Sequence, residues 1–213
     1  MAAEPSPADM IPRAITREDL AALPIRRYEG DVTLVATPAD LERAHAELQA
    51  EQVVGLDTET RPAFRKGESY LPCLIQVAGA SKVYVFQLSQ VDCSVAMAEL
   101  LGSPAIVKAG IGLKYDLAQL KLRFPFDASA VLDLGDVAKR HGFQQSGVRN
   151  LAGLFLGFRI SKGAQTSNWA ARHLTAQQIQ YAATDAWACR ELYRRFQDLG
   201  MLAGDEIRRL ASS

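Results

Sequence analysis

The amino-acid sequence predicts an α/β fold, in which a mixed β-sheet is flanked by helices. Three short apolar runs in the first half of the chain have the length and residue types of strands, and they follow one another closely enough to form an antiparallel meander. Later apolar runs alternate with helical patterns, which is typical of parallel strand–helix units. These patterns together favour an antiparallel meander followed by parallel strands.

The first part of the chain gives few signals before one strand and one helix. Residues 1–24 mix proline, alanine and acidic residues with little periodicity, and we expect a flexible N-terminal arm there. Residues 32–35 are a strand candidate. Thr37 and Pro38 then suit the cap and the first position of a helix.

The meander strands are predicted at residues 53–57, 74–77 and 83–86. Residues 78–81 are short enough a link to join the last two strands as an antiparallel hairpin. The sheet is therefore expected to begin with these three neighbours.

Strands and helices alternate in the second half. We predict strands at residues 105–109 and 131–132, and helices around residues 134–140 and 149–156. The last helix has the strongest start signal, because Thr175 and Gln178 form a capping-box pattern. Its apolar stripe consists of Ile179, Ala182, Ala186, Cys189, Leu192 and Phe196.

The composition limits the classes of protein that fit. Lys and Arg together number 24, as do Asp and Glu, so no global positive field marks a protein that coats long nucleic acid. No apolar stretch approaches the roughly 20 residues of a membrane span, and no secretory signal pattern is present. Cys73, Cys93 and Cys189 have no paired spacing, which favours a reducing compartment. We therefore expect a cytoplasmic protein without a membrane partner.

Two carboxylates end the first meander strand. Asp57 and Glu59 follow a buried apolar run and are two residues apart, so their side chains leave the sheet on one side. Carboxylates held this close repel one another unless a cation lies between them. A solvated strand end is the simpler explanation of such a pair alone, although the apolar run before it makes free charge harder to explain.

Tyr181 and Asp185 lie four residues apart on the last helix, and Asp116 lies near the start of an earlier one. Tyr181 and Asp185 share a helix face that borders the core. A tyrosine hydroxyl that caps a partly buried aspartate explains the pair equally well. Asp116 is also explained as a first-turn acid stabilised by the helix dipole. Gly110 and Gly112 before it lack the rest of a dinucleotide-binding pattern, so they favour close backbone approach.

These residues, in this order and on these elements, resemble the DEDDy 3′–5′ exonucleases of the ribonuclease H-like fold. The segments that carry the resemblance are Asp57-Thr-Glu59, Gly110-Ile-Gly-Leu-Lys-Tyr-Asp116 and Tyr181-Ala-Ala-Thr-Asp185. The tyrosine at 181, where relatives carry histidine, is typical of the y subclass. The resemblance implies an exonuclease domain over residues 25–200, a C-terminal tail over residues 201–213, and a nucleic acid with a free 3′ end as partner.

The resemblance also implies two-metal hydrolysis, with two Mg²⁺ or Mn²⁺ ions roughly 3.5–4 Å apart. Asp57 is expected to bridge both ions, with Glu59 and Asp185 completing the site for the attacking water. Asp116 is expected to serve the second ion, and Tyr181 to orient the water. The products are then nucleoside 5′-monophosphates.

Side chains near the motifs are expected to contact substrate: Thr58, Thr60, Arg61, Arg65, Lys66 and Trp169. The basic residues follow Glu59 in a loop and suit backbone phosphates, although a solvated basic loop explains them equally well. Trp169 suits a core anchor at least as well as stacking on a terminal base. Lys162, before the last helix, also borders the expected substrate path.

Segments 108–112, 133–138 and 167–169 are closer to the Werner syndrome helicase exonuclease domain than to ribonuclease D, which slightly favours DNA. Because ribonuclease D carries helical domains after its catalytic one and this sequence ends at Ser213, we expect a stand-alone catalytic domain. Two alternatives remain: trimming of RNA 3′ ends, as in ribonuclease D, and a module that binds nucleic acid without cutting it.

Overall fold

The centre of the computed structural model, which describes residues 7–65 and 67–202, is a six-stranded sheet. The strands are β1 (Asp31–Val35), β2 (Val53–Thr60), β3 (Pro72–Ala78), β4 (Lys82–Gln87), β5 (Val107–Gly110) and β6 (Val131–Asp133). The helices are α1 (Arg17–Ala22), α2 (Pro38–Leu48), α3 (Ser94–Gly102), α4 (Leu113–Lys121), α5 (Leu134–Arg140), α6 (Val148–Leu151) and α7 (Ala176–Asp198). A 3₁₀ turn (Pro7–Met10) precedes α1, and a π-helical turn (Ala152–Leu156) continues α6.

The sheet has the predicted mixed character, with the strand order β1-β4-β3-β2-β5-β6. Strand β3 runs antiparallel to both of its neighbours, which confirms the meander and the hairpin at residues 78–81. Strands β5 and β6 then add in parallel to β2. Strand β1 adds in parallel to β4 at the opposite edge, a pairing with a distant segment that the sequence does not reveal.

Helices cover both faces of the sheet. Helices α2, α3 and α4 pack on one face, where Leu48, Met97 and Leu117 join the inward side chains of β2, β3 and β4. Helix α7 crosses the other face, where its alanines contact β3 and β4, and α5 and α6 pack beside it. Side chains of β2 alternate between these two cores.

The close approach of β2 and α7 depends on Gly55. A Cβ atom at this position would lie 2.0 Å from the carbonyl oxygen of Ala186, so only glycine leaves room for the helix backbone. Asp57 and Glu59 are on the same side of β2 as Gly55 and therefore face α7. The packing of strand on helix thus decides which carboxylates meet.

Helix α7 begins as predicted. The Thr175 hydroxyl oxygen accepts a hydrogen bond from the Gln178 backbone amide, and the Gln178 side-chain oxygen accepts one from the Thr175 backbone amide, which completes the capping box. The stripe of apolar residues faces the sheet. None of the described helices is long and apolar enough to span a bilayer.

The N-terminal segment differs from the flexible arm that the sequence predicts. From residue 7 onward it packs on the domain: the Ala8 side chain is buried, and Gln145 bonds both backbone groups of Ile15. Ile25 pairs with Arg159 in a short parallel bridge. The cause is a set of partners late in the sequence, which local composition does not reveal. Residues 1–6 lie outside the described residues.

The C-terminal end of the domain also extends past its predicted boundary. Met201 and Leu202 are buried against the core between α5 and α7, so packing continues beyond residue 200. Residues 203–213 of the predicted tail lie outside the described residues. Helix α3, which no local pattern predicts, packs beside α2 on the same face of the sheet.

Candidate active site

Three carboxylates meet where β2 ends beneath α7. One oxygen atom from each of Asp57, Glu59 and Asp185 lies within 4.8 Å of the other two. Asp57 and Glu59 are half-buried, whereas Asp185 is only 4% exposed. Within the described residues, Asp185 Oδ1 is buried without a hydrogen-bond partner, which is costly for a carboxylate oxygen. The arrangement has the form of a cation site.

Asp116 reaches the same region from the opposite face of the sheet. It lies in the first turn of α4, outside the group of three oxygens, and the Thr58 hydroxyl hydrogen-bonds it. Asp133 fixes the start of this helix, because its Oδ2 accepts bonds from the amides of Gly112 (2.8 Å) and Leu113 (3.1 Å). Asp133 is therefore a structural residue that positions Asp116.

Burial raises the pKa of all four carboxyl groups, and the charges of neighbouring acids in the cluster raise it further at Asp57 and Glu59. Burial, followed by the charges of Asp185 and Asp116, holds the pKa of Asp57 well above its ordinary value. Burial and the charge of Asp57 raise the pKa of Glu59 to about 10. Burial raises the pKa of Asp116 to about 6, against the lowering effect of the Thr58 bond. It raises the pKa of Asp185 to about 7, although the Tyr181 hydrogen bond lowers it in part.

The donor set suits hard divalent cations. All the converging groups are carboxylates, and oxygen ligands are those that Mg²⁺ and Mn²⁺ prefer. A bound cation relieves the repulsion that raises these pKa values, and it gives the orphaned oxygen of Asp185 a partner. The residues present therefore fit the metal that the sequence predicts.

Tyr181 lies one helical turn before Asp185 and donates its hydroxyl to that carboxylate. Burial and the nearby negative charges raise the pKa of the Tyr181 phenol, so it stays protonated at neutral pH. The Trp169 ring packs against it, with centroids 5.9 Å apart. Trp169 is only 1% exposed, so it supports the Tyr181 ring and offers no free face to a substrate base.

The remaining predicted substrate contacts lie on β2 and in the loop after it. Thr58 and Thr60 are half-buried, and Thr58 serves Asp116. Arg61 is exposed and stacks over the Tyr70 ring at 4.7 Å. Arg65 is exposed in the same loop, and Lys66 lies outside the described residues.

Sequence reasoning missed two residues beside this site. Gln76 on β3 is paired opposite Asp57 and is fully buried, and neither of its amide atoms has a hydrogen-bond partner among the described residues. A single polar residue in an apolar strand was the available signal. Arg149 in α6 is close enough for its charge to lower the pKa of Asp185, but nothing in the local sequence marks it.

Comparison with known proteins finds nucleases, in agreement with the family that the sequence motifs resemble. A family described as 3′–5′ exonuclease matches residues 32–200. Ribonuclease D of Gluconacetobacter diazotrophicus is 33% identical over 168 residues, which are 77% of this chain and 42% of that protein. The mouse bifunctional 3′–5′ exonuclease/ATP-dependent helicase WRN is 29% identical over 188 residues, 84% of this chain and 13% of that protein.

The fold has the same neighbours. The crystal structure of Trypanosoma brucei RNase D in complex with RNA U12 superposes with a TM-score of 0.72 at 18% identity, over 86% of this chain and 71% of that one. In the sequence match, the chain spans only 42% of the length of the Gluconacetobacter ribonuclease D, which is less than half.

Proposed function

Because the chain belongs to the DnaQ-like 3′–5′ exonuclease family, we propose that it hydrolyses phosphodiester bonds at the 3′ end of nucleic acids and releases nucleoside 5′-monophosphates. The observation that carries this proposal is the convergence of Asp57, Glu59 and Asp185, whose oxygens lie within 4.8 Å of one another. Three buried or half-buried acids in one place have no structural purpose that an apolar side chain would not serve better.

Asp57, Glu59 and Asp185 would hold one divalent ion, and Asp57 with Asp116 would hold a second. Two bound divalent ions make water a nucleophile at neutral pH and neutralise charge on the leaving oxygen. The protein contributes position and enclosure: Thr58 holds the Asp116 carboxylate, and the Tyr181–Asp185 bond fixes the phenol at the edge of the acid cluster.

Tyr181 would orient the attacking water and would not remove its proton. The raised pKa of the phenol keeps its O–H group intact at neutral pH. Its single hydrogen is donated to Asp185, so the phenol oxygen would accept a hydrogen bond from the water. A Tyr181→Phe variant should therefore bind metal as the native chain does and cleave more slowly.

The substrate of the proposed cleavage is either DNA or RNA. The Werner-type sequence segments favour DNA, whereas the relative called ribonuclease D and the RNA-bound RNase D structure support RNA. Both polymers present the same scissile phosphate, and contacts to the 2′-hydroxyl distinguish them.

The three free cysteines support a reducing compartment such as the cytoplasm.

Cleavage of end-labelled oligonucleotides tests the proposal. Single-stranded DNA and RNA of one sequence, labelled at the 5′ end, are incubated with the native chain and Mg²⁺, Mn²⁺ or EDTA. We expect a ladder that shortens from the 3′ end, lost in EDTA and in Asp57→Asn. Asp198→Asn is the matched control, because it makes the same chemical change at an exposed position outside the acid cluster.

Each other result has a definite meaning. Undiminished metal-dependent cleavage by Asp57→Asn would refute the assigned site. Absence of a ladder with every metal, while the oligonucleotide is still retained in a gel shift, would favour the binding module. The faster of the two polymers identifies the substrate.

A further inference from the structure

A cleft with a volume of about 760 Å³ lies between α1, α6 and the segment 157–165. The residues that line it include Arg17, Arg149, Arg159 and Lys162, and the described lining contains no acidic residue. We call this the basic cleft. Because the whole chain has no net charge, this concentration of positive charge is local to the cleft. A cleft lined by one sign of charge focuses its field on ligands of the opposite sign.

Two of the arginines are held in place by the backbone. Arg149 Nε donates to the Ile160 carbonyl oxygen at 3.1 Å, and Arg159 Nε donates to that of Leu23 at 3.0 Å. Within the described part of the chain, their terminal nitrogens have no hydrogen-bond partner, and none of the four basic residues forms an ion pair. An anchored guanidinium has a planar pair of donors that matches a phosphate group.

The wall that carries these residues is tied to the N-terminal segment. The Arg159 amide donates to the Pro24 carbonyl oxygen at 2.9 Å, and its carbonyl oxygen accepts from the Arg26 amide at 3.1 Å. Leu20 of α1 lies so close to Gly153 that a Cβ there would be 2.7 Å from its Cδ1. Helix α1, with Arg17 at its start, is therefore a fixed wall of the cleft.

The basic cleft adjoins the proposed active site. Arg149 lines it and is also close enough to Asp185 to influence that carboxylate. The segment 159–165 separates it from a smaller pocket of about 260 Å³, which Ser161, Gly163 and Tyr181 line. A strand with its 3′ end at the carboxylates would thus have positively charged protein beside its next nucleotides.

We infer that the basic cleft binds backbone phosphates of the substrate strand on the 5′ side of the scissile bond. This inference rests on the proposed function, because the strand must enter with its 3′ end at the acid cluster. A strand with several phosphates fits better than one phosphate ion, since four cationic side chains line the cleft and its volume is that of a site for a larger ligand, within the roughly 300–1,000 Å³ of small-molecule pockets. The contacts are to the backbone, so they act on any base sequence.

Salt-dependent binding tests the inference without cleavage. The full chain is titrated in EDTA with a fluorescent single-stranded 12-mer and with a dinucleotide, at several salt concentrations. The test variant is the double charge reversal Arg17→Glu/Lys162→Glu. The matched control is Arg43→Glu/Arg194→Glu, since these arginines are 59% and 61% exposed in surface ion pairs and line no part of the cleft.

We expect the 12-mer to bind the test variant at least tenfold more weakly. The slope of log K against log salt should lose about 1.4, because each single-strand phosphate contact contributes about 0.7. Dinucleotide affinity should remain unchanged, and the control should match the native chain. Thermal melting establishes that both variants are folded.

Other outcomes overturn the inference. An unchanged salt slope for the 12-mer, or native protein that does not bind it, excludes the basic cleft as a strand site. Equal weakening of nucleoside 5′-monophosphate binding would assign the cleft to a product phosphate instead. Parallel assays in Mg²⁺ separate the two proposals: normal cleavage with an unchanged slope refutes the cleft alone, and cleft-dependent binding without a ladder refutes the exonuclease alone.

Discussion

Folding without metal and binding of metal favour different protonation states of the four clustered acids. These acids are Asp57, Glu59, Asp116 and Asp185. Each has a pKa above the ordinary value of a carboxyl group, since burial disfavours the charged form in all four and acidic neighbours add to this effect at Asp57 and Glu59. At these four positions the folded chain without metal therefore binds more protons than the unfolded chain. Their contribution to stability is fully present below about pH 4 and decreases as the pH rises and these groups ionise.

The first prediction concerns the pH dependence of stability. Unfolded carboxyl groups titrate near pH 4, whereas Asp116, Asp185 and Glu59 titrate at about 6, 7 and 10 in the folded chain. The melting temperature in EDTA should therefore fall between pH 5 and pH 8. A fixed Mg²⁺ concentration of about 100 times its Kd at pH 8 should stabilise by about 2.7 kcal/mol, or about 5–11 °C, at that pH. The same concentration should stabilise less at pH 5, where protonation of the carboxylates weakens binding.

Two variants check the origin of this effect by differential scanning fluorimetry. Asp57→Asn should raise the metal-free melting temperature at pH 8 and remove the response to Mg²⁺. Asp198→Asn should respond as the native chain does. A metal-free melting temperature that is constant from pH 5 to pH 8 would contradict the proposed coupling of the acid cluster to stability.

At the scale of elements, the geometry of the site depends on how closely β2 approaches α7. Gly55 contacts the backbone at Ala186, one residue after Asp185, and a Cβ there would also lie 2.8 Å from the Arg190 amide nitrogen. Backbone atoms cannot rotate away as a side chain does. The spacing between Asp57 and Asp185 is therefore set by a residue that contributes no side chain to the chemistry.

Gly55→Ala should separate the strand from the helix. We expect destabilisation of about 1–3 kcal/mol from overpacking. We also expect cleavage to fall by on the order of 100-fold, since about 1 Å of misplacement has that effect on a reacting geometry. Gly102→Ala is the matched control, because the only atom within 4 Å of its added Cβ is the Asp127 carbonyl oxygen at 3.1 Å, and this glycine lies in neither the acid cluster nor the basic cleft. Native-like cleavage by Gly55→Ala would refute this account of the site.

The success of sequence prediction varied with how local the determining contacts are. The capping box of α7 and the apolar run of β2 are local patterns, and the helix start and the strand are both confirmed. Helix α3 was missed because Cys93 provides no side-chain cap and the helix is apolar on most sides. The partners of β1 and the packing of α1 depend on contacts with distant residues, which no local pattern encodes.

The same distinction applies to the site. Asp57 and Glu59 share a strand and Tyr181 and Asp185 share a helix, so their spacing alone places each pair on one face. Gln76 and Arg149 reach the site only through tertiary packing, and the role of Asp133 in holding α4 needs the structure.

At the scale of the whole molecule, the N-terminal segment (residues 7–30) connects parts of the domain that are far apart in the sequence. Arg13 Nη1 donates to the His141 carbonyl oxygen, and the Tyr28 amide donates to the Thr184 hydroxyl on α7. Gln180, also on α7, donates to the Tyr28 carbonyl oxygen at 2.8 Å. The segment therefore bridges the end of α5 and the helix that carries Asp185.

Deletion of residues 1–24 should consequently lower the melting temperature. The hydrogen bonds that are lost join residues 141–159 to Arg13, Ile15, Leu23 and Pro24. At about 1 kcal/mol each, their loss predicts at least about 2 kcal/mol, or about 4–8 °C. The deletion should also weaken binding of the 12-mer, because Arg17 leaves with α1. Deletion of residues 1–6 is the control, and equal melting temperatures for the two truncated chains would show that residues 7–24 are as loosely held as the sequence suggests.

The residues of the acid cluster lie far apart in the sequence, so the ribosome synthesises them at different times. Asp57 leaves the ribosome long before Asp185, and at about 5–20 residues per second the interval is on the order of ten seconds. During that time β2 lacks the helix that completes its carboxylate group. The N-terminal segment likewise waits for residues 141–184 before it can dock. A nascent chain thus emerges without a complete metal-binding site, and acquires it only when the last described helix has been made.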